Sequence, residues 1–175
     1  ITADAEGNIA RWDLATSRAL WRVQAMSVAA AEVAVSPDGT RAVVTVTRYD
    51  VKENKGQTDL WLIDTKSGIT RQLTSDKAAD TSPTFSPDGL RIAFLSKRGD
   101  DKETQLYLIP VDGGEARRIT QIPTGVSAIK WFPDGKRLAF VTPIWIDLVK
   151  WEDQEKRRKE REDSKMNAKV WERAP

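Results

Sequence analysis

The sequence predicts an all-β fold assembled from repeated four-stranded antiparallel units, and three observations carry that prediction. The tetrapeptide Ser-Pro-Asp-Gly stands at Ser36–Gly39 and again at Ser86–Gly89, and returns as Phe-Pro-Asp-Gly at Phe132–Gly135, at offsets of 50 and 46 residues. Each copy leads into an apolar, β-rich run, from Thr40, Leu90 and Lys136. A second such run follows in the first two copies, from Asp59 and from Gln105, with Asp64 and Asp112 placed 48 residues apart. A period of this size is the signature of a repeat architecture.

The turn explains its own composition. Pro37 presets the φ of the second turn position, Asp38 bonds to nearby backbone, and Gly39 takes a positive φ without steric cost. The tetrapeptide therefore predicts a tight hairpin turn with no chemistry of its own. Strands are expected at Glu32–Val35, Arg41–Thr47, Asp59–Asp64 and Ile69–Thr74, with Gly113-Gly114 as a turn in the next copy. The run from Asn8 aligns on Asp13, 51 residues before Asp64, so the chain is expected to open in the second half of a repeat.

Four-stranded units at this period predict the blades of a partial β-propeller. The expected division is 1–27 as the second half of a blade, 28–75 and 76–122 as whole blades, and 123–175 as the start of another. A charged helical insertion is expected at 147–169, because Asp147–Lys169 has no glycine or proline and is rich in good helix formers. Its middle, Glu152–Lys165, has no apolar side chain, so it reads as an arm leaving the propeller, held by pairs such as Glu152–Lys156 and Glu155–Lys159. With about three and a half repeats in 175 residues, and roughly four to eight blades needed for closure, the chain is expected to be a piece of a larger protein.

The stretch "TSPTFSPDGLRIAFLSKRG…TQLYLIPVDGGEARRIT" resembles the propeller repeat shared by TolB-like proteins and the prolyl oligopeptidase family of serine peptidases. From Ser36 onward the chain looks most like the acylaminoacyl-peptidase and dipeptidyl-peptidase branch, on "RRITQIPTGVSAIKWFPDGKRLAFVT" and on the charged excursion after it. That resemblance implies a non-catalytic propeller segment restricting access to the active site of a peptidase that cleaves short peptides near their N-terminus. It also implies partners: the remaining blades, a C-terminal α/β-hydrolase domain, peptide substrates and, as an open option, further copies of the protein. The rival expectation is a stand-alone TolB-like propeller that works by protein contact.

The chain offers no candidate catalytic residue. With no histidine, a serine–histidine–acid triad cannot be assembled. The nearest approach to a nucleophile elbow, Gly125-Val126-Ser127-Ala128-Ile129, lacks the second glycine and leads into a strand. Cysteine is absent, which removes thiolate catalysis, disulfides and cysteine-based zinc sites. No phosphate-binding glycine motif is present, and no cofactor or metal is expected. Asp100 and Asp101 lack calcium-loop spacing and read as a polar loop. Arg98-Gly99-Asp100 spells an integrin-type tripeptide that arises readily by chance. Trp12 and Trp61 fall in strand runs and are expected to be buried between blades.

Charge adds exclusions. Residues 1–149 carry 19 basic and 19 acidic side chains, and Lys150–Pro175 carry 9 and 7 with the signs interspersed, too weak a field for nucleic acid. No run approaches the length of a membrane helix. The absence of cysteine is compatible with cytoplasm and periplasm alike. The links from second to third strand, Arg48–Thr58, Ser96–Gln105 and the excursion from Pro143, fall on one face of the ring, which marks that face for binding.

Overall fold

A computed structural model describes residues 2–3, 8–13, 15–24, 30–50 and 55–164. The described strands form four antiparallel sheets. The first joins β1 (Thr2–Ala3), β2 (Asn8–Asp13) and β3 (Arg18–Gln24). The second runs β4 (Ala30–Val35), β5 (Arg41–Asp50), β6 (Lys55–Asp64) and β7 (Thr70–Gln72) in sequence order. The third repeats that order with β8 (Thr81–Phe85), β9 (Arg91–Ser96), β10 (Gln105–Pro110) and β11 (Arg117–Arg118). The fourth pairs β12 (Ser127–Trp131) with β13 (Leu138–Val141), and α1 (Trp151–Asp163) follows. This is the partial propeller that the repeats predict. Its first strands β4, β8 and β12 lie beside one another at the sheet edges.

Burial explains why the second strands read as unbroken apolar runs. Ala42–Val46 and Ile92–Ser96 are buried at every position, because each sheet is covered on both faces. Alternate side chains then serve different cores. Phe94 and Tyr107, cross-strand partners, face the preceding sheet and meet Val43, Leu60 and Leu62. Ala93, Leu95 and Leu106 point the other way and pack with Val126, Ile129, Trp131 and Leu138. Truncating Phe94, fully buried, would cost about 3–5 kcal/mol.

The three turns form as their residues dictate. The Gly39 N–H donates to Ser36 O at 2.8 Å, Gly89 repeats this with Ser86 at 2.8 Å, and Gly135 with Phe132 at 3.0 Å. The glycines stand at φ 71, 71 and 64°. In the first two copies the serine hydroxyl donates to the aspartate, at 2.6 Å in Ser36–Asp38 and 2.5 Å in Ser86–Asp88.

The Arg48–Thr58 link is mostly ribbon, its ladder continuing to Asp50 opposite Lys55. Tyr49 packs over Gly56 across the strands, with 3.1 Å from its ring to where a Cβ of Gly56 would stand, and so supplies the side chain that glycine lacks. Strand β7 is shorter than expected because the Thr74 hydroxyl accepts from the Leu60 N–H at 2.9 Å. The helix begins later than expected, at Trp151, and residues 165–169 lie outside the described part. It does not leave the propeller as a free arm. Arg158, 14% exposed, reaches Glu103 at 3.4 Å and Glu162 at 2.8 Å. A helix without an apolar face has docked through a paired guanidinium. Of the expected helical pairs, Glu155–Lys159 forms at 2.7 Å.

Candidate functional site

A cleft lies between the two four-stranded sheets. It encloses about 770 Å³ over Tyr107 and Ile109, with Leu73–Asp76 on one wall and Arg98–Asp100 and Arg118 on the other. Strand β10 turns Tyr107 and Ile109 toward the preceding sheet, and the link from β9 to β10 raises the arginine wall.

Buried charge holds that wall. Asp80 is fully buried and receives Arg98 through two bonds, Nε to Oδ1 at 3.1 Å and Nη2 to Oδ2 at 2.5 Å. The Arg98 guanidinium also lies over the rings of Phe94 and Tyr107, 5.0 and 5.4 Å from their centroids. The Tyr107 hydroxyl donates to Asp101 at 2.6 Å, and Arg118 pairs with the same carboxylate. Burial, then the bond to Asp101, pushes the Tyr107 phenol up to about 12. On β6, Asp59 is buried against Arg48 at 2.7 Å and Gln72 at 3.2 Å. Burial outweighs the arginine there and raises the Asp59 carboxyl above its usual value. Both arginines facing the cleft are thus already committed to carboxylates, and the arrangement is suited to contact and shape.

A second cavity of about 270 Å³ lies where α1 meets this link, between Glu155 and Arg158 on the helix and Glu103, Gln105 and Pro123 below. Gln154 anchors the helix. Its Oε1 accepts from Trp145 N at 2.9 Å, and its Nε2 donates to the carbonyls of Trp145 and Leu148 at 2.8 and 2.7 Å. The Nε of Arg158 is buried and has no hydrogen-bond acceptor.

Ser127 stands exposed on β12, its hydroxyl 3.4 Å from Val141 O, on a strand rather than at a strand-to-helix elbow. Asp101 is taken by Arg118 and Tyr107, and among the described residues no group of three or more histidine, cysteine, aspartate or glutamate side chains is arranged to hold a metal ion. Arg98 of the integrin-type tripeptide is turned inward to Asp80. Gly113 and Gly114 form a turn at positive φ. Trp12 corrects its expectation: it remains 37% exposed, its indole N–H bonded to Thr2 at 2.9 Å. Trp61 is partly buried, with its indole nitrogen enclosed and unpaired.

Sequence reasoning missed a row of β-bulges on the first strands. The registers shift between Ala30 and Val33, between Thr81 and Thr84, and between Ser127 and Ile129. Ser82 and Ala128 take φ of 52 and 46° there. Pro83 inside a strand was the available signal, since proline in a sheet marks an edge or a bulge.

Comparison with known proteins places this architecture. Dipeptidyl-peptidase 5 of Porphyromonas gingivalis is 38% identical over 68 residues, 39% of this chain and 10% of that protein. The chain thus aligns with about a tenth of the length of the curated relatives it matches. A TolB structure from Agrobacterium tumefaciens superimposes with a TM-score of 0.51 at 29% identity, over 63% of this chain and 37% of the other. The acylaminoacyl peptidase of Pyrococcus horikoshii has the same fold, at TM-score 0.52 and 19% identity, over 65% of this chain and 17% of the other. The resemblance to peptidase and TolB propeller repeats is therefore shown. Residues 55–146 match the family described as the Tricorn protease N-terminal beta propeller domain, and because that match spans more than half of the 175 residues, the chain belongs to that family.

Proposed function

We propose that this chain is the non-catalytic propeller segment of a serine peptidase that hydrolyses short peptides near their N-terminus, and that the propeller restricts which substrates reach the catalytic centre. The observation carrying the reading is the 68-residue match to a dipeptidyl-peptidase in a chain without any histidine to act as base. The chain contributes no catalytic residue. Its partners are the remaining blades and an α/β-hydrolase domain of the parent protein, with peptides as substrates and self-association of the parent as a further proposal. The blade units are assigned to 1–27, 28–75, 76–122 and 123–175.

The experiment uses the whole parent protein. A fluorophosphonate probe should label one serine outside residues 1–175, and dipeptidyl or acylaminoacyl reporters should be cleaved while a folded protein is spared. Labelling inside this chain, or a parent that takes no probe and cleaves no reporter, overturns the proposal. The likeness to TolB at 29% identity supports a second reading, a propeller acting by protein contact. An unlabelled parent that copurifies with one protein at fixed stoichiometry would favour it.

A further inference from the structure

The bulges on β4, β8 and β12 are related by the repeat. Glu32 and Ser82 are 50 residues apart, the spacing of the first two turns, and Ser82 and Ala128 are 46 apart, the spacing of the second and third. Local bonding follows the same rule. Thr81 Oγ1 lies 3.5 Å from Leu95 O, and its counterpart Ser127 Oγ lies 3.4 Å from Val141 O. Ser82 and Ala128 share the left-handed conformation.

Between the first two of these strands, the bulge binds a carboxylate. The Ser82 N–H donates to Glu32 Oε2 at 2.6 Å, and the Ser82 hydroxyl lies 3.3 Å from Oε1. The amide has been turned by the bulge toward the neighbouring first strand, and a charge-assisted bond of this length is among the stronger kinds. Between the next two strands the acid is missing. The residue in the place of Glu32 is Ser82, too short to cross and already engaged with Glu32. Among the described residues no side chain accepts from the Ala128 N–H, and Ser127 and Ala128 are both exposed.

We propose that the bulge at Ala128 is a binding site for a carboxylate carried by a peptide, which takes the position that Glu32 occupies at Ser82. The backbone amide of Ala128 is the principal donor, and the Ser127 hydroxyl stands beside it. The carboxylate is either the C-terminus of the peptide or an acidic side chain. The choice of ligand rests on the peptide-handling role proposed above. The test below reads the amide directly, whether or not the parent hydrolyses peptides, so the two failures are distinguishable.

The intact parent protein, labelled with ¹⁵N-alanine, is titrated with acetyl-trialanine as the free acid, with its amide, and with acetyl-Ala-Glu-Ala-amide; loss of one peak in Ala128→Gly assigns the resonance. The Ala128 peak should move saturably with the free acid, the glutamate peptide, or both, which separates the two carboxylate sources, and should stay in place with the neutral amide. Ser82→Glu restores the missing acid. It should shift the peak without ligand and weaken the carboxylate peptides by about tenfold or more, the worth of one charge-assisted bond. A peak unmoved by both carboxylate peptides, or moved equally by the neutral one, overturns the site. So does a folded Ser82→Glu protein that binds as the unmodified protein does, and if that variant fails to fold the titration of the unmodified protein decides.

Discussion

Pro37 stands against Gly89: its Cδ lies 3.7 Å from the point a Cβ on that glycine would occupy, and Pro87 repeats the relationship with Gly135 at the same distance. The proline that shapes one turn thereby packs on the glycine that completes the next, so the three turns stack in register. Side chains reinforce the stack. Arg91 donates to Gly135 O at 2.9 Å while lying over Trp131, and Arg71 donates to Val111 O at 3.0 Å.

The two Ser-Pro-Asp-Gly turns separate strain from packing. Gly39 has open space around it, Gly89 has Pro37, and both stand at φ 71°. A Cβ 3.7 Å away is an ordinary contact, so the cost of alanine at either site is that of the left-handed backbone, about 1–2 kcal/mol. Gly39→Ala and Gly89→Ala should lower the urea midpoint of the parent protein by equal amounts. A markedly larger loss at Gly89 would show that the stacked turns tolerate no added volume.

Arg98→Met should be far more damaging than a surface change. Asp80 is fully buried and Arg98 is 15% exposed, so removing the guanidinium leaves an uncompensated carboxylate inside the protein at a cost of about 3–5 kcal/mol. Adding Asp80→Asn should recover most of the loss. Urea unfolding of the two variants checks this, and a double variant no more stable than the single one would refute it.

Asp38 should set part of the acid response. The Ser36 hydroxyl, then the Thr40 backbone N–H, hold its carboxyl down at about 2, below the ordinary 3.8. A depressed folded value means that its contribution is present above about pH 4 and is lost as pH falls toward about 2. Ser36→Ala removes the largest cause and should move the Asp38 titration upward, followed by carboxyl ¹³C shifts. Asp88, with the Ser86 hydroxyl as its largest cause, shifts in the same direction and serves as an internal reference. An Asp38 titration unchanged in Ser36→Ala would contradict the assignment.

Gln154 should control the order of α1. Its amide makes three bonds to the loop that precedes the helix, each worth about 1 kcal/mol net. Gln154→Ala should speed tryptic cleavage within Lys156–Arg161 in the parent protein without changing the rate at Arg91. Equal cleavage rates in both proteins would show that Arg158 alone suffices to hold the helix.

Much of the fold was legible because the information was local. Turn residues, apolar β-rich runs and a run of helix formers each act within a few positions. The strand limits at Val35, Arg41 and Asp64 coincide with expectation. The extension of β5 and β6 to the Asp50–Lys55 pair does not, since charged and glycine-containing segments read as loop until Tyr49 meets Gly56 across the ladder. The docking of α1 was hidden for a similar reason. A helix with no apolar face signals no partner, and Arg158 found Glu103 55 residues away.

By itself the sequence determined the repeat, the hairpin turns, the all-β class and the absence of histidine and cysteine, because these depend on residue identity and short-range geometry. Tertiary structure alone decided which charges were buried together, Asp80 with Arg98 and Asp101 with Arg118. It also decided that Glu32 would serve the bulge of the next blade while Ala128 received no acid from its own neighbour. Those pairings depend on how adjacent blades are set against each other, and a side chain's partner across a blade interface is fixed by that packing rather than by any pattern within its own strand.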